Sequence, residues 1–253
     1  PNCYILNQAA PGGYTPRFVG NITDSSFTMG RSGEIASGPM AGTAFDISGS
    51  VGRNEATFGL NNTFNPSMGP DSPRNFETGS YIQLAKTFNV DMSREYDSMS
   101  IAYGAEWRET TFSVISGEES SWVAGPYATQ GFNVGSHGFA GFSPDSAGAF
   151  SRRNYAVYGD VSNQVTDDLL IQGALRYEDY SSGLDTTNYK LAFNYQLTDD
   201  LALRGSHSTG FRAPTQGQAN VVNTQTTLVD GQLTQAQTLP GFKLGAEQLQ
   251  PEE

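Results

Sequence analysis

The chain has 253 residues, of which only 16% are Asp, Glu, Lys or Arg, against about 25% in an ordinary soluble domain. A net charge of −12 offers no basic surface to displace phosphate counterions, which excludes nucleic acid as a partner. The single cysteine, Cys3, leaves neither an internal disulfide framework nor a Cys-based zinc site, and no run approaches the roughly 20 apolar residues of a membrane-spanning helix.

Residues 81–209 carry the clearest pattern. Ile82, Leu84, Phe88 and Val90 alternate with Gln83, Thr87 and Asn89, with Lys86 interrupting the apolar side. Met99, Ile101, Tyr103, Ala105 and Trp107 alternate with Ser100, Gly104, Glu106 and Arg108. Tyr155, Val157, Gly159 and Val161 then oppose Asn154, Asp160 and Ser162. Leu169, Ile171, Gly173, Leu175 and Tyr177 oppose Gln172, Arg176 and Glu178. Tyr189, Leu191, Phe193, Tyr195 and Leu197 oppose Lys190, Asn194 and Gln196, and Leu201, Leu203 and Gly205 oppose Arg204, Ser206 and Ser208. Successive side chains of a strand point to opposite faces, so these runs predict an all-β chain of antiparallel, half-buried strands.

The connections are asymmetric. Thr166-Asp167-Asp168-Leu169 recurs as Thr198-Asp199-Asp200-Leu201, and each suits a tight turn because Thr and Asp side chains bond nearby backbone amides. The stretch from Asp91 to Asp97 is read as a third short connection. At the other strand ends the connections run to about 15 residues after Asn65, about 35 after Ser116 and more than 40 after Thr209, while 179–188 is shorter. Short turns on one side and long loops on the other is the layout of an outer-membrane barrel. None of the 12 prolines falls in 80–116 or 152–209, as strands require, since proline cannot donate to a ladder. Strands of about ten residues exceed the usual five or six and match the 9–11 that cross a bilayer at a slant. Tyr81, Trp107, Tyr155, Tyr177 and Tyr189 are read on the apolar side near the long-loop ends, where an interfacial aromatic girdle belongs. The competing reading of the alternation is a soluble β-sandwich with one wet face.

Four segments carry a resemblance: Asn61-Asn62-Thr63-Phe64-Asn65 leading through Gly69-Pro70 to Ser72-Pro73; Tyr103-Gly104-Ala105-Glu106-Trp107-Arg108-Glu109; Asn154-Tyr155-Ala156-Val157-Tyr158-Gly159-Asp160 with Ala174-Leu175-Arg176-Tyr177-Glu178-Asp179; and Leu203-Arg204-Gly205-Ser206 running into Ser208-Thr209-Gly210-Phe211-Arg212-Ala213-Pro214. Together they resemble the β-barrel domain of a TonB-dependent outer-membrane receptor over residues 43–253. Residues 1–42 fit it only as shorter strands around 17–22 and 27–35, and His207 stands where the family more often has an apolar residue.

The resemblance implies that residues 1–253 form part of a transmembrane β-barrel domain in the outer membrane of a Gram-negative bacterium. About eight strands, some short, would supply about a third of a wall that numbers 22 strands in the family. The family's plug domain and TonB box have no counterpart in the sequence. The Pro1-Asn2-Cys3 start without a leader and the Pro251-Glu252-Glu253 end without a closing element both read as cuts, so a piece of a longer chain is expected. The implied partners are the TonB complex, the receptor's own plug, outer-membrane lipid and a small-molecule nutrient. Iron–siderophore is the commonest family cargo, and cobalamin, haem and oligosaccharide are others. No cofactor or metal is implied. The alternatives are a passive porin, distinguished by the lack of a plug in the parent gene, and a soluble or surface β-sandwich that binds carbohydrate.

Candidate site residues fall in two groups. Glu106, Arg108, Asp160, Arg176, Glu178, Lys190 and Arg204 form a mixed-sign set on the inward face. They would either contact plug or passing substrate, or neutralise one another as ion pairs. The loop 117–151 holds Trp122, Tyr127, Phe132, His137, Phe139 and Phe142 among Gly and Ser. Its rings would either capture a bulky ligand or pack the loop on itself. Arg212 would touch ligand or anchor its loop to the strand end. His137 and His207 are the only histidines, and neither a Gly-x-Ser-x-Gly elbow nor a phosphate loop is present, so no catalytic role is expected.

Overall fold

The computed structural model describes residues 5–221, 224–229 and 232–237. Cys3, Pro240 and the closing Pro251-Glu252-Glu253 lie outside them. Eight strands form one antiparallel meander in which each strand pairs with the next: β1 Arg17–Glu34, β2 Ala44–Asn61, β3 Asn75–Glu95, β4 Met99–Ser116, β5 Gly148–Thr166, β6 Leu169–Tyr180, β7 Asp185–Thr198 and β8 Leu201–Ser208. Beyond β8 come a short helix, α1 Gln216–Asn220, and a separate hairpin of β9 Thr224–Val229 with β10 Gln232–Gln237. Within the stretch expected to be one long loop after Thr209 there is thus a helical turn and a strand pair.

The two Thr-Asp-Asp-Leu repeats close two-residue turns, β5–β6 and β7–β8, each beside a register shift. A glutamine two positions earlier completes the unit. Gln164 Nε2 donates to Thr166 O at 2.9 Å and Gln196 Nε2 donates to Thr198 O at 2.8 Å, so the side-chain amide satisfies the carbonyl that the bulge releases.

Three expectations are corrected. The segments 17–22 and 27–35 are a single strand, β1, paired with β2 without interruption from Arg17↔Asn61 to Glu34↔Ala44. Its polar middle is held because Asn54 Nδ2 of the neighbouring strand donates to Asp24 Oδ1 at 2.7 Å. The stretch 91–95 is strand, not turn: β3 runs to Glu95 and only 96–98 remain to connect it to β4. Asp91 lies in the ladder, where its carboxylate accepts from Tyr158 Oη at 2.6 Å. Tyr81 is not on the apolar face. It pairs with Val114 across the ladder, on the same side as Phe112, and stacks on Phe142 at 5.0 Å.

The faces otherwise divide as the alternation predicts. Trp107, Tyr155, Val157, Leu175, Leu191 and Leu203 share one side, and no second sheet covers it: Tyr155 and Leu175 are each 57% exposed, Leu191 58%. A sandwich would have sealed these side chains. The other side is polar except at the long-loop end, where loops cover it and the main core lies. There Phe112, Val114 and Phe142 are buried with Phe58, Tyr81, Phe139 and Phe150 packed around them.

Candidate functional site

The polar face carries a connected network across β4–β6. Arg176 Nη2 lies 2.6 Å from Glu178 Oε1 and 3.5 Å from Glu106 Oε2, while Arg108 Nη2 lies 3.0 Å from Glu106 Oε1. Tyr180 Oη donates to Glu178 Oε2 at 2.5 Å. The ring of Tyr180 in turn supports the Arg152 guanidinium, 5.0 Å from its centroid. These residues meet because alternate positions of adjacent strands project to one side within side-chain reach. Four of the seven polar residues singled out in the sequence are therefore joined as ion pairs. Asp160 accepts from Gln172 Nε2 at 2.8 Å, while Lys190 and Arg204 border a separate recess of about 550 Å³ on β6–β8.

Two loops close over this face. The loop 62–74 is organised by Asn65, which is fully buried. Its Nδ2 donates to Ser120 O at 2.9 Å and Val123 O at 3.0 Å, tying it to the loop 117–147. Its Oδ1 accepts from Ser67 Oγ at 2.7 Å and from Ser67 N at 3.2 Å, capping the helical turn Pro66–Asp71. Gly69 sits in that turn at φ +63° with the Tyr127 ring against it; a Cβ there would lie 2.5 Å from Tyr127 Cε2. Further stitches run from His137 N to Phe64 O (2.7 Å), Tyr127 N to Ser67 O (2.9 Å) and Thr63 Oγ1 to His137 O (2.5 Å).

The loop aromatics divide by environment. Phe142 is fully buried and Phe139 packs beside it on the wall, so these two fix the loop. Trp122 is half-buried, its Nε1 donating to Gly117 O at 3.2 Å. Tyr127 and Phe132 meet edge-on at 6.2 Å, both half-buried. Tyr14 Oη lies 2.9 Å from His137 Nδ1, the distance of a donated hydrogen bond to a neutral imidazole. Burial raises the Tyr14 pKa and lowers that of His137, since each loses solvation of its charged form. Arg212 is exposed and is not the anchor of its segment: Arg152 Nη1 donates to Pro214 O at 2.6 Å and performs that role.

Arg152, Tyr158, Tyr180 and Asn65 escaped the sequence reading. Tyr158 and Tyr180 fall on the polar side of their own alternations, a signal that was available. Asn65 gave none, because its partners lie 55 and 58 residues away. Among the described residues, no group of three or more His, Cys, Asp or Glu side chains could hold a metal ion.

The family described as "TonB dependent receptor-like, beta-barrel" matches residues 7–253. Among solved structures, the chain is similar to the siderophore receptor PirA from Acinetobacter baumannii, with a TM-score of 0.54 and 13% identity over 86% of this chain and 30% of that one. It is also similar to a chain of the RagAB peptide transporter, with a TM-score of 0.54 and 8% identity over 88% of this chain and 26% of that one. The sequence thus spans less than a third of either structure's length, and at these identities the likeness establishes the fold alone.

Proposed function

This chain belongs to the TonB-dependent receptor β-barrel family, a family of outer-membrane receptors and transporters, and from that membership we propose that residues 1–253 form part of the barrel wall of one such transporter. The observation that carries the reading is the contrast between the two faces of the β1–β8 sheet. One presents an uncovered apolar band bordered by the Lys86–Glu109 and Arg53–Glu55 ion pairs, while the other bears the Arg176–Glu106–Glu178 network and the two closed loops. An uncovered apolar face is suited to lipid, and a polar face to a barrel interior. Among the described residues β1 and β8 each pair on one side only, and a membrane-spanning sheet must close on itself, so further strands of the whole protein would complete the wall.

The whole protein would bind a scarce nutrient at the long-loop end, with Trp122, Tyr127, Phe132, His137 and Arg212 as candidate contacts, and import it with energy transduced by TonB through a plug. Asp160, Lys190 and Arg204, with the joined Glu106, Arg108, Arg176 and Glu178, would line the route. Iron–siderophore is the first cargo to test, followed by cobalamin, haem and oligosaccharide. No chemistry is done on the ligand. The test is to express the full-length protein in a Gram-negative host with and without TonB and measure accumulation of each labelled cargo. Uptake that requires both proteins supports the reading; uptake unaffected by TonB would assign the barrel to passive diffusion instead.

A further inference from the structure

We propose that the cavity beneath the segment following β8 is a binding site for a small, ring-bearing polycarboxylate. The segment 211–217 returns over the polar face and encloses about 350 Å³ against β4–β6, lined among others by Arg108, Arg152, Arg212, Tyr180, Phe211 and Phe112. The volume is that of a small-ligand pocket. Its roof is tied to the wall at two points and stiffened from within by a third contact. Arg152 Nη1 donates to Pro214 O at 2.6 Å, the Phe211 and Tyr180 rings lie 5.8 Å apart, and a capping box between Thr215 and Gln218 closes α1.

The charge here opposes that of the chain. Arg108, Arg152 and Arg212 line the cavity with Glu178, so three cations face one anion inside a chain whose net charge is −12; Arg176 and Glu106 join the network just beyond the lining. Both carboxylates are already engaged. Glu178 is taken by Arg176 and by Tyr180 Oη at 2.5 Å, and Glu106 by Arg108 and Arg176. Arg212 has neither a hydrogen bond nor an ion pair among the described residues, and Arg152 spends one donor on Pro214 O. A guanidinium presents five N–H donors in a planar fork that matches a carboxylate in two parallel hydrogen bonds. The Tyr180 and Phe211 rings add flat apolar surface between the cations. A ligand with two or more carboxylates on a ring satisfies both features; an uncharged one leaves the cations uncompensated.

The inference rests on the receptor reading for its setting on the inner face and deepens it by naming a ligand class. The test uses the full-length protein in detergent, titrated calorimetrically with benzene-1,3,5-tricarboxylate and, for comparison, with the uncharged benzene-1,3,5-trimethanol. The tricarboxylate binds and the triol does not. Arg212→Gln, at an exposed position, weakens binding about tenfold, and Arg152→Lys, which keeps the charge but loses the fork, does the same. Each sample is also run unheated and boiled on a denaturing gel. A heat-dependent mobility shift without tricarboxylate binding, or binding indifferent to Arg212→Gln, overturns the site. Tricarboxylate binding that Arg212→Gln weakens, with no mobility shift, supports the site and overturns the barrel.

Discussion

Lys86 Nζ lies 3.1 Å from Glu109 Oε1, directly across the β3–β4 ladder and on the apolar face. In the same row Val51 pairs with Lys86 on one side and Arg153 pairs with Glu109 on the other, and the Arg53–Glu55 ion pair (2.7 Å) lies on the same face, beside Leu84 and Ile82 and nearer the long loops. Toward the short turns that face continues as Phe88, Val90, Trp107, Ala105 and Tyr103; toward the long loops β4 presents Thr111 and Ser113. The row therefore marks the upper border of the lipid-facing band. A Lys at the bilayer midplane costs about 2–4 kcal/mol and near the interface about 0–1 kcal/mol. Lys86→Leu is expected to change unfolding free energy in lipid vesicles by no more than about 1 kcal/mol. A stabilisation of about 2–4 kcal/mol on removing the charge would move the row to mid-membrane.

Asn65 joins the two loops through all of its polar side-chain atoms while fully buried. Asn65→Ala removes these partners and leaves Ser120 O and Val123 O without that donor. Each buried group so orphaned costs about 1–3 kcal/mol. The variant should show faster limited proteolysis within 117–147 and unchanged hydrogen exchange in β5–β8.

Phe142 carries the docking of that loop on the wall. Phe142→Ala opens a void among Phe58, Tyr81, Val114 and Phe139, with an expected loss of about 3–5 kcal/mol, read by chemical denaturation of the detergent-solubilised protein. Gly79, at φ +121° with a built Cβ only 2.6 Å from Phe142 Cδ2, gives the complementary case: Gly79→Ala should undock the same loop by overcrowding.

The His137–Tyr14 contact makes loop closure sensitive to acid. Burial holds the folded His137 pKa below its ordinary value of 6.5, so the unfolded chain binds the proton more readily. Stability of the loop is therefore retained above about pH 6.5 and is lost as the pH falls from there through the depressed folded value. Hydrogen exchange of the His137 and Phe64 region, followed from pH 7.5 to 5, should show more frequent opening at the acid end after correction for intrinsic exchange. His137→Gln should flatten that profile.

The strands of the lipid-facing part were legible because their two faces meet different surroundings, which stamps a period of two on the side chains. The legibility fails where both faces are wet. In β1, Asp24, Ser25 and Ser26 interrupt the alternation, yet the ladder with β2 continues through them, because strand pairing is a backbone interaction and Asn54 supplies the partner for Asp24. Tyr81 misled for the opposite reason. An aromatic near a strand end suits an interfacial girdle, but Phe142, 61 residues further along, provides a core on the other side. Of the candidate site, the polar parity of Glu106, Arg108, Arg176 and Glu178 was readable, and their pairing was not. Cross-strand register decides which charges meet, and part of it, the offset of β5 against β6, lies at the 164–166 bulge, where Gln164 donates to Thr166 O.

The claim on which the rest depends is that Leu175 and Leu191 look into lipid while Ala174 and Lys190 do not. Single spin labels placed in turn at positions 172–177 and 189–194 of the full-length protein in vesicles, with Cys3 replaced by Ser, test it most directly. Accessibility to oxygen should peak at 173, 175, 177, 189, 191 and 193, and accessibility to a water-soluble nickel complex at the positions between them. Labels at 175 and 191 that are shielded from both reagents would show those side chains sealed in a protein core, and would contradict the account.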